Sequence, residues 1–362
     1  MDRNEFKCDV VTLMKPGPMV ESLIQVGIPI TSLGMQRGRP NPLALISLIR
    51  HLRLTKPAIL QTWLYHADLL GTIATQFVPA NRLAWNVRCT DMTVGDAKKR
   101  TRWLVRSLAA LSGRPDAIVV NSQQGRADHE RLGYDPKQWV NIPNGVDYIR
   151  FRPRDDERGR LRTQLGIKPD ALTIGFVARD HPMKDVQTFC RAAALLIKKD
   201  PDKQFVFCGH GFTLDNVTLS RILAELDLER HVVLLGPRRE MENVYPAVDV
   251  LALCSIYGEG FPNVLVEAMA CGVPCVATDV EDCRKIVGDC GMIVPARDPE
   301  ALAQACEMLI HSGLYGIGAR ARARVVANFG VQKMRARYQS LYRSLVEAHS
   351  DQLTETSARD PA

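Results

Sequence analysis

The stretch Ser255–Pro274, with the sequence SIYGEGFPNVLVEAMACGVP, indicates the fold more clearly than any other part of this chain. It follows the apolar run Val248–Cys254, which is typical of a buried strand, and its second half has apolar residues at helical spacing. Pro262 suits the first position of a helix, and Gly272 suits its C-terminal cap. We therefore predict a strand, a loop and a helix, Phe261–Cys271, at the carboxyl edge of a parallel sheet, where open α/β sheets bind ligands.

Two carboxylates, Glu259 in the loop and Glu267 in the helix, lie eight positions apart in this stretch. A carboxylate can accept hydrogen bonds from vicinal hydroxyl groups, such as those of a ribose or hexose ring. The amino end of the helix also presents unpaired N–H groups to an anion. The alternative, that Glu267 only faces solvent, is less favoured because its neighbours Leu265 and Ala268 are apolar.

Two further strand-to-helix turns carry polar residues or glycines. In the segment Gly175–Asp185, Arg179 and Lys184 flank a turn, and such a pair of cations suits a diphosphate. This spacing alone would describe an ordinary surface pair, but next to the two glutamates it indicates an anion site. The turn Gly209-His210-Gly211 allows close backbone approach, and we interpret His210 as a loop residue.

Strands and helices alternate along the whole chain, which predicts parallel sheets and an α/β protein. A chain of 362 residues exceeds what one hydrophobic core usually serves, so two domains are expected. The predicted strands are Asp9–Met14, Ile28–Leu33, Ala58–Trp63, Leu83–Val87, Ala117–Val120 and Val140–Pro143 in the first half, and Leu172–Val177, Gln204–Cys208, His231–Leu235, Val248–Cys254 and Val273–Thr278 in the second.

We place the N-terminal domain at residues 1–150 and a polar linker at 151–166. The ligand-binding domain follows at 167–331, then a C-terminal helix at 332–349 that packs back toward the N-terminal domain. Residues 350–362 are polar, and we predict a disordered tail there.

Positive charge is concentrated in the first part of the chain. Residues 1–145 contain 19 Lys and Arg against 11 Asp and Glu, whereas the remainder contains 28 against 29. A basic N-terminal half could bind phosphate groups, an anionic acceptor or an anionic membrane surface, or it could simply be a solvated surface. The polar N-terminus and the lack of any run of about 18 apolar residues predict a cytoplasmic protein, with peripheral contact at the inner face of the plasma membrane as one option.

Cysteine usage predicts free thiols and no metal site. Cys271, Cys275, Cys283 and Cys290 cluster in the sequence, but their spacing matches no zinc template, and no C-x-x-C pair occurs. No G-x-G-x-x-G follows any strand, which argues against a dehydrogenase. We expect no nucleic-acid partner.

Taken together, these motifs resemble the retaining family 4 glycosyltransferases of the GT-B fold, in which two Rossmann-like doubly wound domains face each other and a C-terminal helix crosses back. The resemblance covers nearly the whole chain and is most specific from about Asn121 onward. Its marks are the Glu259-x7-Glu267 motif with its Gly-Phe-Pro-Asn insert, Arg179 with Lys184, Pro143-Asn144-Gly145-Val146-Asp147, Val232–Gly236, Asp249 and Ala277-Thr278-Asp279.

The resemblance implies a role for each matching residue. Glu267 would hold the ribose hydroxyls of a UDP-sugar or GDP-sugar donor, and Glu259 would hold the donor sugar. Arg179 and Lys184 would neutralise the departing diphosphate, so that no bound metal and no protein nucleophile are needed. The backbone of Gly260, Phe261, Pro262, Asn263 and Val264 would approach the sugar and phosphates, Gly209 and Gly211 would allow a similar approach, and the loop after Gly236 would meet the base. The sugar would pass to a glycan or to a lipid-linked acceptor.

The chain departs from the family pattern in three places. Where the family often has a histidine near the donor sugar, this chain has Asn86-Val87-Arg88, so Arg88 is our first acceptor-side candidate and His66 the weaker one. Glu281 and Lys285 stand where glycine and glutamate are frequent. The opening strand and the glycine-rich loop of the N-terminal domain have no counterpart.

In the family, that opening strand lies between the strands that match Asp9–Met14 and Ala58–Trp63 here. These two strands must therefore pair directly or leave a gap. A gap would leave buried backbone N–H and C=O groups without hydrogen bonds, at a cost of about 1–3 kcal/mol for each group. We accordingly expect that the natural chain starts upstream, or that this chain binds donor without efficient transfer.

Two other functions compete with that of a transferase. One is a GT-B sugar-nucleotide epimerase, which the Glu-x7-Glu motif disfavours. The other is a non-catalytic nucleotide-sugar binder that keeps the C-terminal site. The favoured hypothesis is a hexosyltransferase that builds a cell-surface polysaccharide or glycolipid.

Overall fold

Strand and helix alternate through residues 2–17, 20–36, 41–78, 82–88 and 99–358, the ranges described by a computed structural model of the chain. In the N-terminal half the strands are β1 (Val10–Met14), β2 (Ile30–Met35), β3 (Ile59–Gln61), β4 (Arg82–Val87), β5 (Ala117–Val120) and β6 (Trp139–Asn141). The helices there are α1 (Val20–Gln25), α2 (Pro42–Thr55), α3 (Tyr65–Thr75), α4 (Lys99–Leu111) and α5 (Gln123–Arg131).

The C-terminal half repeats the pattern. Its strands are β7 (Thr173–Val177), β8 (Gln204–Cys208), β9 (Val232–Gly236), β10 (Val250–Leu253), β11 (Cys275–Thr278) and β12 (Gly291–Val294). Its helices are α6 (Arg158–Leu165), α7 (Val186–Lys199), α8 (Val217–Glu225), α9 (Met241–Val244), α10 (Asn263–Ala270), α11 (Cys283–Val287), α12 (Pro299–His311), α13 (Leu314–Phe329) and α14 (Val331–Ala358). The predicted strands are all present, with ends shifted by up to two residues.

The sheet of the C-terminal half is parallel throughout, with the strand order β12-β11-β10-β7-β8-β9. The chain starts at β7, runs outward to β9, returns to β10 and then runs outward on the other side. The order therefore reverses between β7 and β10, and the loops that leave these two strands diverge to leave a crevice at their carboxyl ends. The predicted α/β class with two Rossmann-like domains is confirmed.

The N-terminal half contains two separate parallel sheets, β1-β2 and β3-β4-β5-β6. Within the described ranges no hydrogen bonds join β1 to β3, so the chain adopts the second of the two predicted arrangements, the gap. Val11 and Leu13 of β1 and Leu60 of β3 instead pack on one apolar cluster with Leu48 and Leu52 of α2. Each strand pairs with its own sheet, and side-chain burial rather than backbone pairing connects β1 to β3.

Residues 151–166, predicted as a polar linker, contain α6 and pack into the core of the C-terminal half. Leu161 is buried there, and the guanidinium of Arg162 lies 2.7 Å from the carboxylate of Asp249. Arg162 also donates hydrogen bonds to the backbone carbonyls of residues 168, 169, 171 and 247. A segment that is polar in sequence can therefore be structural when its charge meets an acidic partner.

The chain crosses between the halves twice, at Val146 and at Gly330, and the two crossings lie side by side. The N–H of Val146 donates to the carbonyl of Phe329 over 2.8 Å, and the N–H of Val331 donates to the carbonyl of Val146 over 3.0 Å. At Gly145 an added Cβ would lie 2.6 Å from the Cα of Val331, so only glycine allows the two segments to come this close.

The long helix α14 returns to the N-terminal half. Tyr338, Leu341 and Leu345 share an apolar cluster with residues of β4, β5 and the segment after β6, namely Ala84, Ala117, Val119 and Ile142. α14 runs to Ala358, which corrects the predicted disordered tail from residue 350. The physical reason is that residues 350–358 contain no proline or glycine, so nothing in them ends the helix. Residues 359–362 lie outside the described ranges.

Among the described residues, the carboxyl group of Asp68 in the N-terminal half is buried without a cationic partner. Asp68 on α3 is fully buried, and its Oδ1 accepts a hydrogen bond of 2.5 Å from the hydroxyl of Thr62. Its Oδ2 has no hydrogen-bond partner among the described residues. Burial raises the pKa of Asp68 to about 8, although the bond from Thr62 opposes this shift.

This burial predicts a pH dependence of stability. Because the pKa of Asp68 is higher in the folded chain than in the unfolded chain, stability is greatest at low pH and is lost as the pH rises from about 4 to about 8. The slope from this group is at most about 1.4 kcal/mol per pH unit. We expect Asp68→Asn to flatten the decline in the free energy of unfolding, measured by urea denaturation at pH 5 to 8. Asp135→Asn, at an exposed site, is the control, and an unchanged slope in Asp68→Asn would contradict the prediction.

Candidate active site

The switch point between β7 and β10 brings Lys184 and Glu259 together. Glu259 is 7% exposed, and its carboxylate pairs with the ammonium of Lys184 and accepts a hydrogen bond from the hydroxyl of Ser255. The loops themselves are joined by a 2.9 Å hydrogen bond from the N–H of Ile256 to the carbonyl of Met183. The sequence predicted both charged residues but not Ser255, since a serine four residues before a glutamate is not distinctive.

The backbone beside Glu259 is held by a second carboxylate. Glu281, in the loop after β11, accepts hydrogen bonds of 2.7 Å from the N–H groups of both Gly258 and Glu259. Burial raises the pKa of Glu281, whereas these two amide bonds lower it. Sequence reasoning noted Glu281 only as a departure from the family pattern and did not assign it to the site.

Glu267 lies on α10, which begins at Asn263 with Pro262 as its N-cap residue. Its carboxylate accepts a hydrogen bond of 2.7 Å from the hydroxyl of Tyr245, a fully buried residue. Burial raises the pKa of Glu267, and Tyr245 and Arg150 oppose this shift. Glu267 is therefore half-buried and held in position, as its apolar neighbours indicated. Tyr245 was not predicted, because nothing in the sequence links it to α10.

A cleft of about 480 Å³ separates the two halves, and Glu267 lies in its wall. Trp63 and Arg88 contribute from the N-terminal half, and Asn263 and Val266 contribute from α10. Of the predicted residues, the structure therefore brings Arg88, Asn263 and Glu267 to one space. Glu259 and Lys184 lie at the neighbouring loop and do not line this cleft.

Arg88 is the centre of a hydrogen-bonded group at the cleft. It donates to the side chain of Asn86 over 2.7 Å, to the hydroxyl of Tyr338 over 2.7 Å and to Asn144, and it lies 4.8 Å from the ring centre of Trp63. Asn144 in turn donates to Asn263 over 2.8 Å, which links the N-terminal half to the start of α10. His66, the weaker acceptor-side candidate, is exposed on α3 and is not among the residues that line the cleft.

The predicted glycines have a clear packing role. An added Cβ at Gly209 would lie 1.7 Å from the carbonyl oxygen of Ala178, so the loops after β7 and β8 touch through their backbones. Gly211 approaches Asp180. The carbonyl of Gly236 accepts from the N–H of Gly209, and the N–H of Gly236 donates to the carbonyl of Phe212. His210 is an exposed loop residue whose carbonyl accepts from Asp180, as its interpretation as a loop residue predicted.

The other predicted residues differ in exposure. Arg179 follows β7 and is exposed, while Gly260 is buried in the loop before α10. Phe261 is buried, with its ring centre 5.7 Å from that of Phe329 beside the chain crossings. Val264 packs against the core. Within the described ranges no three His, Cys, Asp or Glu side chains converge as metal ligands would, and no described helix combines the length and apolar character needed to cross a bilayer.

Two Rossmann-like domains around a cleft, with carboxylates and cations at a sheet switch point, define a GT-B type of protein. Family models support this class along most of the chain. Residues 1–150 match the model described as Glycosyltransferase Family 4, and residues 171–312 match the model described as Glycosyl transferases group 1. The chain belongs to the family 4 glycosyltransferases of the GT-B fold, which transfer a sugar from a nucleotide-sugar donor, and it is a glycosyltransferase.

Individual relatives agree with this assignment. The UDP-Gal:alpha-D-GlcNAc-diphosphoundecaprenol alpha-1,3-galactosyltransferase of Escherichia coli is 27% identical over 318 residues, covering 84% of this chain and 79% of that protein. The D-inositol 3-phosphate glycosyltransferase of Corynebacterium jeikeium is 36% identical over 207 residues, covering 54% of this chain and 49% of that one. The chain thus matches about half the length of the latter relative.

Solved structures show the same fold. The Anabaena protein Alr3699/HepE, in complex with UDP and glucose, superposes with a TM-score of 0.80 at 21% identity, covering 92% of this chain and 91% of that one. Sucrose-phosphate synthase from Thermosynechococcus elongatus superposes with a TM-score of 0.76 at 19% identity, covering 94% of this chain and 99% of that one.

Proposed function

We propose that this glycosyltransferase moves a hexose-type sugar from a UDP-sugar or GDP-sugar to a glycan or lipid-linked acceptor, with retention, in the synthesis of a cell-surface polysaccharide. The observation that carries the proposal is the pair of positioned carboxylates. Glu267 is held by Tyr245 in the wall of the cleft, and Glu259 is held by Lys184 in the neighbouring loop. A UDP-sugar is the first donor to test, since the Escherichia coli relative uses UDP-Gal and the Anabaena structure holds UDP.

In this proposal, binding and charge stabilisation are divided between the two turns. Glu267 accepts the ribose hydroxyls, and Glu259 accepts hydroxyls of the donor sugar. Lys184 and Arg179 meet the charge that develops on the departing diphosphate, so that the reaction uses no resident metal. The leaving phosphate assists attack on the same face of the sugar, which preserves its stereochemistry without a protein nucleophile.

The leaving-group role predicts a large loss of turnover in Arg179→Ala and Lys184→Ala. Loss of one preorganised charge-stabilising group is expected to reduce kcat by roughly 10²–10³. The measurement is nucleotide release from a panel of UDP-sugars and GDP-sugars, with and without a lipid-linked acceptor. Lys199→Ala, an exposed cation at the far end of α7, is the matched control.

Two outcomes of this assay contradict the proposal. Near-normal turnover in Arg179→Ala would place the diphosphate elsewhere, and because Arg179 is exposed, misfolding would not obscure this result. In Lys184→Ala the carboxylate of Glu259 is left buried without its cation, which can destabilise the fold. Melting temperatures measured alongside show whether this variant loses stability as well as turnover. A wild-type chain that is stabilised by a donor but releases no nucleotide would instead be a non-catalytic binder.

The ribose role of Glu267 predicts weaker nucleotide binding in Glu267→Gln, by about 1.5–3 kcal/mol for a charge-assisted hydrogen bond. Tyr245→Phe should cause a smaller loss, because it frees the carboxylate without removing it. Calorimetric titration with the nucleotide and its 2′-deoxyribose analogue measures both. In Glu267→Gln, the 2′-deoxyribose analogue should bind almost as well as the nucleotide itself, because the hydrogen bond is already lost. Additive losses of affinity from the substitution and from the missing hydroxyl would contradict the assignment.

For the acceptor side, we propose a cytoplasmic protein that contacts the inner face of the plasma membrane, with Arg88 near the acceptor. The relative from Escherichia coli is named for an acceptor sugar that is linked to diphosphoundecaprenol. On α2, Leu43, Ile46 and Leu54 are 66%, 61% and 76% exposed, and they share one helix face with the exposed Arg50. Such a face suits an anionic membrane surface.

This surface predicts a dependence on lipid charge. We expect the wild-type chain to sediment with vesicles containing anionic lipid and less with neutral ones. Leu43→Ser combined with Ile46→Ser should weaken vesicle binding at least about tenfold. In the wild type both apolar side chains pass from water into the membrane surface, and the double variant loses this favourable transfer. Leu214→Ser, which removes an exposed leucine in the C-terminal half, is the control. Equal sedimentation of all three chains would refute the membrane contact.

A further inference from the structure

The corner between β11 and α11 carries two adjacent carboxylates, Glu281 and Asp282, that bind different halves of the molecule. Glu281 accepts from the N–H groups of Gly258 and Glu259, both over 2.7 Å, in the C-terminal half. Asp282 is 9% exposed and accepts from the N–H groups of Gln123 and Gln124, over 3.0 and 3.4 Å. These two amides belong to the first turn of α5, in the N-terminal half.

Two features of Glu281 are unfavourable in isolation. Its φ of +43° lies in the left-handed region, which favours glycine. Its carboxylate also lies beside that of Glu259, a like charge. A residue with a strained backbone and a like-charged neighbour persists only when other interactions offset its energetic cost. Such residues cluster at functional sites. The hydrogen bonds to Gly258 and Glu259 supply that compensation.

The loop at Glu259 is of the kind that needs external support. Glycines flank Glu259 on both sides, and Gly258 has a φ of +76°. The side chain of Glu259 is fixed by Lys184 and Ser255, and its backbone N–H is fixed by Glu281. Because Glu281 and Asp282 are consecutive, the place of Glu281 depends on where Asp282 is held, and Asp282 is held by α5.

We propose that Glu281 and Asp282 form a bracket that couples docking of α5 in the N-terminal half to the position of Glu259, so that Glu281 is a positioning residue for the donor sugar. The inference rests on the proposed role of Glu259. When the halves come together, Asp282 meets α5 and the bracket fixes the loop. By linkage, whatever sugar engages Glu259 favours the arrangement in which α5 is docked.

The coupling can be tested without any ligand, by hydrogen exchange on the free full-length chain. Glu281→Gly relieves the φ strain and removes both acceptors, whereas Glu281→Gln keeps the side-chain length but offers one acceptor oxygen. We expect amides of residues 255–260 to exchange at least about tenfold faster in Glu281→Gly and by an intermediate amount in Glu281→Gln. A melting temperature close to that of the wild type would show that the fold itself is intact.

Asp282→Ala is the decisive variant for coupling between the halves. Exchange should accelerate at residues 122–126, where the N–H groups of Gln123 and Gln124 lose their acceptor. It should also accelerate at 255–260, although the side chain of Asp282 accepts no hydrogen bond from these residues. Asp282→Asn keeps one acceptor oxygen and should restore part of the protection at both places. The control is Asp279→Asn, an exposed carboxylate that pairs with Arg284. Acceleration confined to 122–126 in Asp282→Ala would overturn the bracket.

A binding measurement separates this inference from the proposed function. UDP with UDP-glucose, and GDP with GDP-mannose, are titrated into wild type and Glu281→Gly. For the nucleotide sugar that binds the wild type, we expect the affinity of Glu281→Gly to be about tenfold lower, as for one lost hydrogen bond. For the corresponding nucleotide without the sugar, we expect the affinity to fall by less than about twofold. Equal losses of both would refute a role in positioning the sugar. If none of the four binds the wild type, the proposed donor class fails, while the exchange data still decide the coupling.

Discussion

The close pairing of the two chain crossings, at Val146 and at Gly330, is the constraint on which the rest of the molecule depends. Two backbone hydrogen bonds join them, and Gly145 leaves the space that lets Val331 approach. A single crossing segment would leave the two halves free to rotate relative to each other. Two crossing segments that lie side by side restrict this relative motion to a hinge. α14 then leaves the second crossing and returns to β4 and β5, which anchors the N-terminal half a second time.

With the halves related in this way, contacts form at two separated points around the cleft. At one, Arg88 reaches Asn144, and Asn144 reaches Asn263 at the start of α10. At the other, Asp282 reaches the first turn of α5. All these groups are polar, and polar contacts between domains are weaker than apolar ones and easier to remake. The arrangement therefore suits halves that separate and rejoin as substrates enter and products leave.

Within the C-terminal half, each carboxylate of the site has a particular donor: Lys184 and Ser255 for Glu259, Tyr245 for Glu267, and backbone amides for Glu281. A buried carboxylate without donors would take up a proton or destabilise the fold. Asp68, which has one hydroxyl donor and a pKa raised to about 8, illustrates that outcome in the other half. Carboxylates held by such donors keep a fixed orientation as hydrogen-bond acceptors, which is what the recognition of sugar hydroxyls requires.

The sequence by itself determined the α/β class and the order of the strands along the chain, because periodicity and the spacing of turns are local properties. It also predicted Arg179, Lys184, Glu259 and Glu267 as residues of the site. It did not determine that residues 151–166 belong to the C-terminal core, that β1 and β3 lie in separate sheets, or that α14 continues to Ala358. Nor did it reveal Tyr245, Ser255, Glu281 or Asp282 as neighbours of the site. Those facts depend on which distant groups meet, and only the folded chain, which brings the ends of non-consecutive strands together, decides that.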